Sequence, residues 1–170
     1  MSDAAVVIDG DVGTFTTTAR LLASVFMVRN VGTFRCRSAY YSYLLLGTPE
    51  QYVSNAYVSY DGSTNGIMRM SGGNLVMFKA AGSMQDTFVY AGGMPLTDVF
   101  SADLDALYDT WEPSGTIGTI AARALCGVGR FDLAASKWLP TCYVVGKVRP
   151  KLKIPAGRII TEGTSVYINQ

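Results

Sequence analysis

Carboxylates are the only side chains through which this sequence could run ordinary acid–base chemistry, because its 170 residues include no histidine. Histidine titrates near neutral pH, so its absence removes every triad or dyad built on imidazole. No lysine has a serine three residues before it, the spacing of a Ser-Lys pair. Gly146-Lys147 is followed by Val148 where a phosphate loop needs Ser or Thr, and Gly127-Val128-Gly129 lacks the third glycine of a dinucleotide fingerprint. Paired carboxylates, as in glycosidases, are the remaining chemistry in principle. The candidates are Asp9 and Asp11 in IDGDVG, Asp61 in YDGSTNG, and the run Asp98, Asp103, Asp105, Asp109 and Glu112.

Each of these acids has a structural alternative that explains it better. Asp9-Gly10 and Asp61-Gly62 are turn pairs, in which aspartate bonds its own backbone and glycine takes positive φ. The segment from Asp103 resembles a calcium loop in its acids, but the sixth position is Tyr108 and the twelfth is Ser114, where such a loop needs Gly and Glu. Leu104, Leu107, Tyr108 and Trp111 instead follow helical spacing behind a Ser101 cap, so the acids form the wet face of a short helix. The expectation is therefore no catalytic residue, no metal and no cofactor.

Cations are more suggestively placed. In GKVRPKLKIPAG, Lys147, Arg149, Lys151 and Lys153 occupy every second position, with Val148, Pro150, Leu152 and Ile154 between them. In an extended strand the four cations share one face and the apolar residues the other. Three uses compete. Lysines together with Pro150, which cannot donate to a ladder, suit an edge strand guarded against stray pairing. The five cations from Lys147 to Arg158 could face the five acids Asp98, Asp103, Asp105, Asp109 and Glu112 across a subunit interface. Or they could bind an anion, such as phosphate or a sulfated glycan. The loop Asp61, Ser63, Thr64 and Asn65 is a separate candidate ligand loop, and ten tyrosines could supply sugar-stacking surfaces.

The elements that must carry these residues read as short β-prone runs broken by Gly and Asn. Ser24–Arg29 and Thr33–Arg37 flank Asn30-Val31-Gly32, read as a hairpin loop. Ile67–Met70 and Leu75–Ala80 flank Ser71-Gly72-Gly73-Asn74, and Thr87–Ala91 and Met94–Phe100 flank Gly92-Gly93, both read as hairpins. Ile120–Cys126 reads as a second helical piece after a glycine-rich bend at Gly115–Thr119, and the chain closes on strands around Pro155-Ala156-Gly157. No internal repeat or linker divides the chain, so one domain over 1–170 is expected. The fold expected is all-β, an antiparallel sandwich or barrel of jelly-roll kind with one or two short helices.

Composition narrows the partners. A net charge of +1 is far from the basic excess of a protein that tracks a phosphate backbone, which argues against nucleic acid. The longest apolar run, Leu21–Val28, falls well short of the roughly 18 residues of a membrane span, and the acidic opening MSDAAVVIDGD is no secretion signal. Cys36, Cys126 and Cys142 show no CxxC spacing and read as reduced, mostly buried thiols.

Trp111-Glu112-Pro113-Ser114-Gly115-Thr116-Ile117-Gly118-Thr119 resembles the Gly-Thr bends of phage tail-fibre and receptor-binding tips. Ile154-Pro155-Ala156-Gly157-Arg158-Ile159, followed by Glu162-Gly163-Thr164-Ser165-Val166-Tyr167-Ile168, is similar to the last hairpin of such modules. The resemblance covers the final third of the chain, and no collagen-like or coiled-coil stalk precedes it. It implies a non-enzymatic structural or adhesive virion protein: a tail-fibre tip, capsid decoration or coat component. Such a protein folds in the host cytoplasm, assembles as a homo-oligomer, trimers above all, contacts other virion proteins and meets a host surface glycan. The alternatives are a small lectin-like carbohydrate-binding module and a coat protein that contacts nucleic acid.

Overall fold

The computed structural model describes residues 1–58, 64–92, 113–127, 130–132, 137–139, 142–160 and 166–168. The chain winds as a parallel coil. Its first turn is β1 (Ala5–Thr16) and β2 (Arg20–Leu22), and its second is β3 (Val25–Cys36) and β4 (Ser38–Tyr40). The third begins with β5 (Tyr43–Leu46), is interrupted by β6 (Thr48–Val58) and β7 (Thr64–Ser71), and resumes with β8 (Asn74–Ala80) and β9 (Ser83–Gln85). The fourth is β10 (Phe88–Ala91), β11 (Thr116–Ala121) and β12 (Ala124–Cys126). After β13 (Arg130–Asp132) and β14 (Lys137–Leu139), the fifth is β15 (Cys142–Val145), β16 (Lys151–Lys153) and β17 (Ile159–Ile160), and β18 (Val166–Ile168) starts one more.

Each strand lies parallel on its counterpart in the neighbouring turn. Val25 pairs with Ala5 and Tyr43, and Phe88 with Tyr43 and Tyr143. The result is a nine-stranded sheet and a five-stranded sheet ordered β17-β12-β9-β4-β2. The larger sheet curls because β3 passes around a corner, so that its first half pairs with β5 and its second half with β8. Side chains that alternate inward meet at the centre of the coil. Phe26, Phe34 and Phe78 are each 1% exposed and Phe15 packs on them, with Phe34 stacked between Phe15 and Phe78 at centroid distances of 4.6 and 5.2 Å. Leu21, Leu75, Met84, Ile117, Ile120 and Leu125 complete this core. Strands β5 and β10 are buried on both faces, because Leu45, Phe88, Tyr90 and Val145 join Met70 in a second cluster on the outside of the coil. That is why YLLL and FVYA are continuous apolar runs instead of alternating ones.

The corners repeat as well. Ala23, Tyr41 and Asp86 have φ of 46°, 49° and 45°, and each is followed by a hydroxyl residue, Ser24, Ser42 or Thr87. Each hydroxyl donates to the carbonyl two residues back, at 2.8 to 3.0 Å. At the corner inside β3, a polar ladder runs from Asp11 through Asn30 and Asn74 to Thr116. Gly73, at φ 89°, brings the chain back into the coil after β7. A Cβ there would strike the backbone of Leu46 and Gly47, so only glycine closes this junction.

These findings correct the expected sandwich. Among the described residues the two large sheets are parallel throughout, and only β6–β7 and β13–β14 are antiparallel. Asn30-Val31-Gly32 lies within the continuous strand β3 and is no hairpin loop. Gly72-Gly73 does not join a hairpin, since β7 pairs with β6 while β8 pairs with β3 and β11. β10 has β5 and β15 as its partners instead of a hairpin mate, and Met94–Phe100 lies outside the described residues. Ile120–Cys126, expected to be helical, is the end of β11 and all of β12, and Thr116–Thr119 belongs to β11 instead of a bend. The strands around Pro155-Ala156-Gly157 pair with earlier turns, β16 with β11 and β17 with β12. Tertiary pairing overrides local helix preference here, because Ile117, Ile120 and Leu125 are drawn into the core. Among the described residues there is no α-helix; the helix expected near Leu104–Trp111 lies outside them.

Candidate functional site: an arginine-lined cleft

The five-stranded sheet carries a cleft of about 550 Å³ on its outer side, lined by Arg20, Arg37, Arg123 and Arg158. Strand register explains its shape. One outward column runs Arg20, Ser38, Ser83, Ala124, Arg158, because Arg20 pairs with Ser38, Ala124 with Ser83, and Leu125 with Ile159. The floor is therefore three small residues, with an arginine at each end. The corner position just before this column runs Arg37, Gly82, Arg123, tied by Gly82 N–H to the Arg37 carbonyl at 2.6 Å and Arg123 N–H to the Gly82 carbonyl at 3.0 Å. Gly82 keeps the middle of this wall low, and a Cβ there would collide with Ser38 Oγ. Tyr40 and Cys126 lie on the opposite side.

The electrostatics are one-sided. All four arginines are exposed, and none forms an ion pair among the described residues. Arg29 and Asp11, 3.4 Å apart on the far side of β3, do form one. Arg35 and Lys79, direct neighbours on β3 and β8, are two further exposed cations on the larger sheet. Among the described residues no carboxylate lines the cleft itself, the nearest charge of that sign being the buried Asp86 behind Cys126, so the arginines outnumber acids there and an anion would relieve their repulsion. Arginine's planar fork suits carboxylate, sulfate or phosphate oxygens, which it can hold in pairs.

Burial holds the thiols in their neutral form. Burial pushes Cys36 and Cys142 up to about 12, and the Cys142 thiol donates to the Thr87 carbonyl at 3.2 Å. Arg35 and Arg37 point outward while Cys36 points into the core, so they do not activate it. Cys126, half-buried in the cleft wall, is raised by burial first and by the charge of Asp86, against a lowering by Arg158. Among the described residues no cluster of His, Cys, Asp or Glu could hold a metal ion, and no helix is long and apolar enough to cross a membrane.

The residues singled out in the sequence fall in several places. Lys151 and Lys153 are exposed on β16, the outermost strand of the larger sheet, with Leu152 and Ile154 packed on the core behind them. Lys147 and Arg149 are exposed in the preceding loop, where Val148 is 59% exposed, so the expected alternation holds only from Lys151 onward. Arg158 alone of the five lines the cleft. Thr64 and Asn65 open β7, opposite Val58 and Tyr57. Asp61, Ser63, Asp98, Asp103, Asp105, Asp109 and Glu112 lie outside the described residues. Sequence reasoning missed Arg20, Arg37 and Arg123. The available signal was an arginine or glycine at the same corner of successive turns: Arg37-Ser38-Ala39, Gly82-Ser83-Met84, Arg123-Ala124-Leu125.

The sequence matches no protein-family model, and no match was found among curated proteins or solved structures.

Proposed function

We propose that this chain is a non-enzymatic adhesive module that holds an anionic ligand in the arginine cleft, in the setting of a virion surface such as a tail-fibre tip or decoration. The observation that carries the reading is four arginines around one cleft with no ion pair among the described residues. A long parallel coil supports it, because stacked turns offer a rigid, repeating surface on which side chains recur at the strand spacing of about 4.8 Å. Self-association as a homotrimer and contacts with other virion proteins belong to the same reading, and light scattering that returned an 18.2 kDa monomer would remove the trimer.

The binding test is retention on a sulfated matrix. The parent protein is expected to elute at distinctly higher salt than an Arg37→Ala, Arg123→Ala variant, since each lost contact lowers the salt dependence of binding. Equal elution of the two proteins would sink the reading. Binding without turnover of ester, peptide, phosphate or glycoside substrates separates it from an enzyme.

A further inference from the structure

The cleft is a trough with two ends. Arg20 and Arg158 close it four strand spacings apart, about 19 Å along the stacking direction. Between them Ser38, Ser83 and Ala124 make a narrow floor, and along its wall Arg37 and Arg123 stand two spacings apart, about 10 Å, with Gly82 leaving the interval open. The charge therefore runs lengthwise as two pairs of arginines, on the first two and last two of five turns, with an uncharged middle turn at Gly82, and the floor between them is small and partly hydroxylic.

We infer that the ligand is a linear acidic oligosaccharide lying along the stacking direction, its carboxylate or sulfate groups on alternate sugars meeting the arginines and its hydroxyls facing Ser38, Ser83 and Tyr40. This rests on the cleft being an anion site. A single inorganic anion would use one arginine or two and leave the others still facing one another. A single-stranded nucleic acid fits less well, because such sites offer successive aromatic platforms and the lining holds one aromatic, Tyr40, on a chain of net charge only +1. The open interval at Gly82 matches an uncharged sugar between two charged ones.

The experiment is titration calorimetry of the full chain at low salt with six probes: unsulfated chondroitin hexasaccharide, its 6-sulfated form, the disaccharide, neutral chitohexaose, oligo-dT and sodium sulfate. An acidic hexasaccharide is expected to bind at least about tenfold more tightly than the disaccharide, sulfate or oligo-dT, since several charge-assisted contacts add along its length. Arg20→Ala and Arg158→Ala, both at exposed positions and checked for an unchanged melting temperature, should each weaken the hexasaccharide roughly tenfold. The disaccharide, too short to reach both ends, should be insensitive to at least one of them. Comparable affinity of the two hexasaccharides supports the proposal with carboxylate as the recognised group, and a need for the 6-sulfated form, charged on every sugar, supports an acidic oligosaccharide with sulfate recognised but overturns the uncharged sugar at Gly82.

Oligo-dT or sulfate binding as tightly as the hexasaccharides would overturn the oligosaccharide while leaving the cleft an anion site. Chitohexaose binding equally well would overturn the acidic requirement. Binding by none of the six would overturn both readings.

Discussion

Asn74 donates its backbone N–H and its side-chain Nδ2 to a single acceptor, Oδ1 of Asn30, at 2.9 and 3.1 Å. The two residues are separated by 44 positions and a complete inserted hairpin, yet they sit one above the other at the same corner of adjacent turns. Asn30 in turn donates to Asp11 at 2.8 Å, and Thr116 donates to Asn74 at 2.7 Å, so one polar column ties four turns into register.

Replacing Asn30 by Ala leaves the Asn74 amide without its acceptor at a partly solvated corner. The expected cost is about 1 kcal/mol of stability, the net value of a hydrogen bond whose freed donor can still reach water. Urea unfolding of the Asn30→Ala protein measures it, and a midpoint equal to the parent's would show that the ladder does not set register.

Ala23 carries a left-handed backbone, φ 46°, at an exposed corner. Glycine takes that conformation freely, whereas a Cβ costs there, so Ala23→Gly should stabilise by about 0.5 to 1 kcal/mol even though glycine loosens the unfolded chain. The same change at Ala39, fully buried on β4, should destabilise by a similar amount. Thermal melts of both variants check the sign, and a loss at Ala23 would contradict the corner geometry.

The buried thiols predict how stability depends on alkaline pH. Cys36 and Cys142 are held neutral by burial, up to about 12 against an ordinary 9.0. A raised folded-state pKa means that the stabilisation is complete below about pH 9 and is lost as pH rises from there toward 12, because the unfolded thiols ionise first. The urea midpoint should therefore fall between pH 8 and pH 10.5, and fall less in a Cys36→Ala, Cys142→Ala protein. Equal falls would assign the effect to other groups.

On β16, Lys151 and Lys153 sit on the last strand of the larger sheet, the position at which charge discourages pairing with a second molecule. Replacing both by valine should leave the melting temperature within a few degrees of the parent and sharply increase aggregation at high concentration. Light scattering over a concentration series reads this, and a variant as soluble as the parent would remove the edge role.

Apolar patterning marked several strands, whereas turn and helix signals and the partnerships between strands did not hold. Ser24 to Arg29, Leu75 to Ala80 and Thr87 to Ala91 read as strands from alternation or apolar runs, and each lies on a strand apart from its first residue in the case of Ser24 and Thr87. What alternation cannot carry is which strand lies beside which. The repeat is eighteen residues from Val25 to Tyr43, but forty-five from Tyr43 to Phe88, since β6 and β7 are inserted into that turn. Insertions of different length erase the period that a repeat search relies on. Glycine pairs misled for a related reason: Gly72-Gly73 reverses the chain, as a hairpin turn does, but delivers it into the coil. Arg20, Arg37 and Arg123 are far apart in sequence and unremarkable singly; only the stacking of turns makes them neighbours.

Which cations an anion touches separates the arginine cleft from the lysines of β16 and the loop before it. With arginine Nε-labelled protein, the side-chain N–H resonances can be followed by NMR while an acidic hexasaccharide is added, with lysine Nζ signals recorded alongside. Arg20, Arg37, Arg123 and Arg158 are expected to shift together and saturate at one ligand concentration, while Arg29, paired with Asp11 elsewhere on the coil, stays in place. Shifts confined to Lys147, Lys151 and Lys153, with the four cleft arginines unmoved, would contradict the cleft as the anion site.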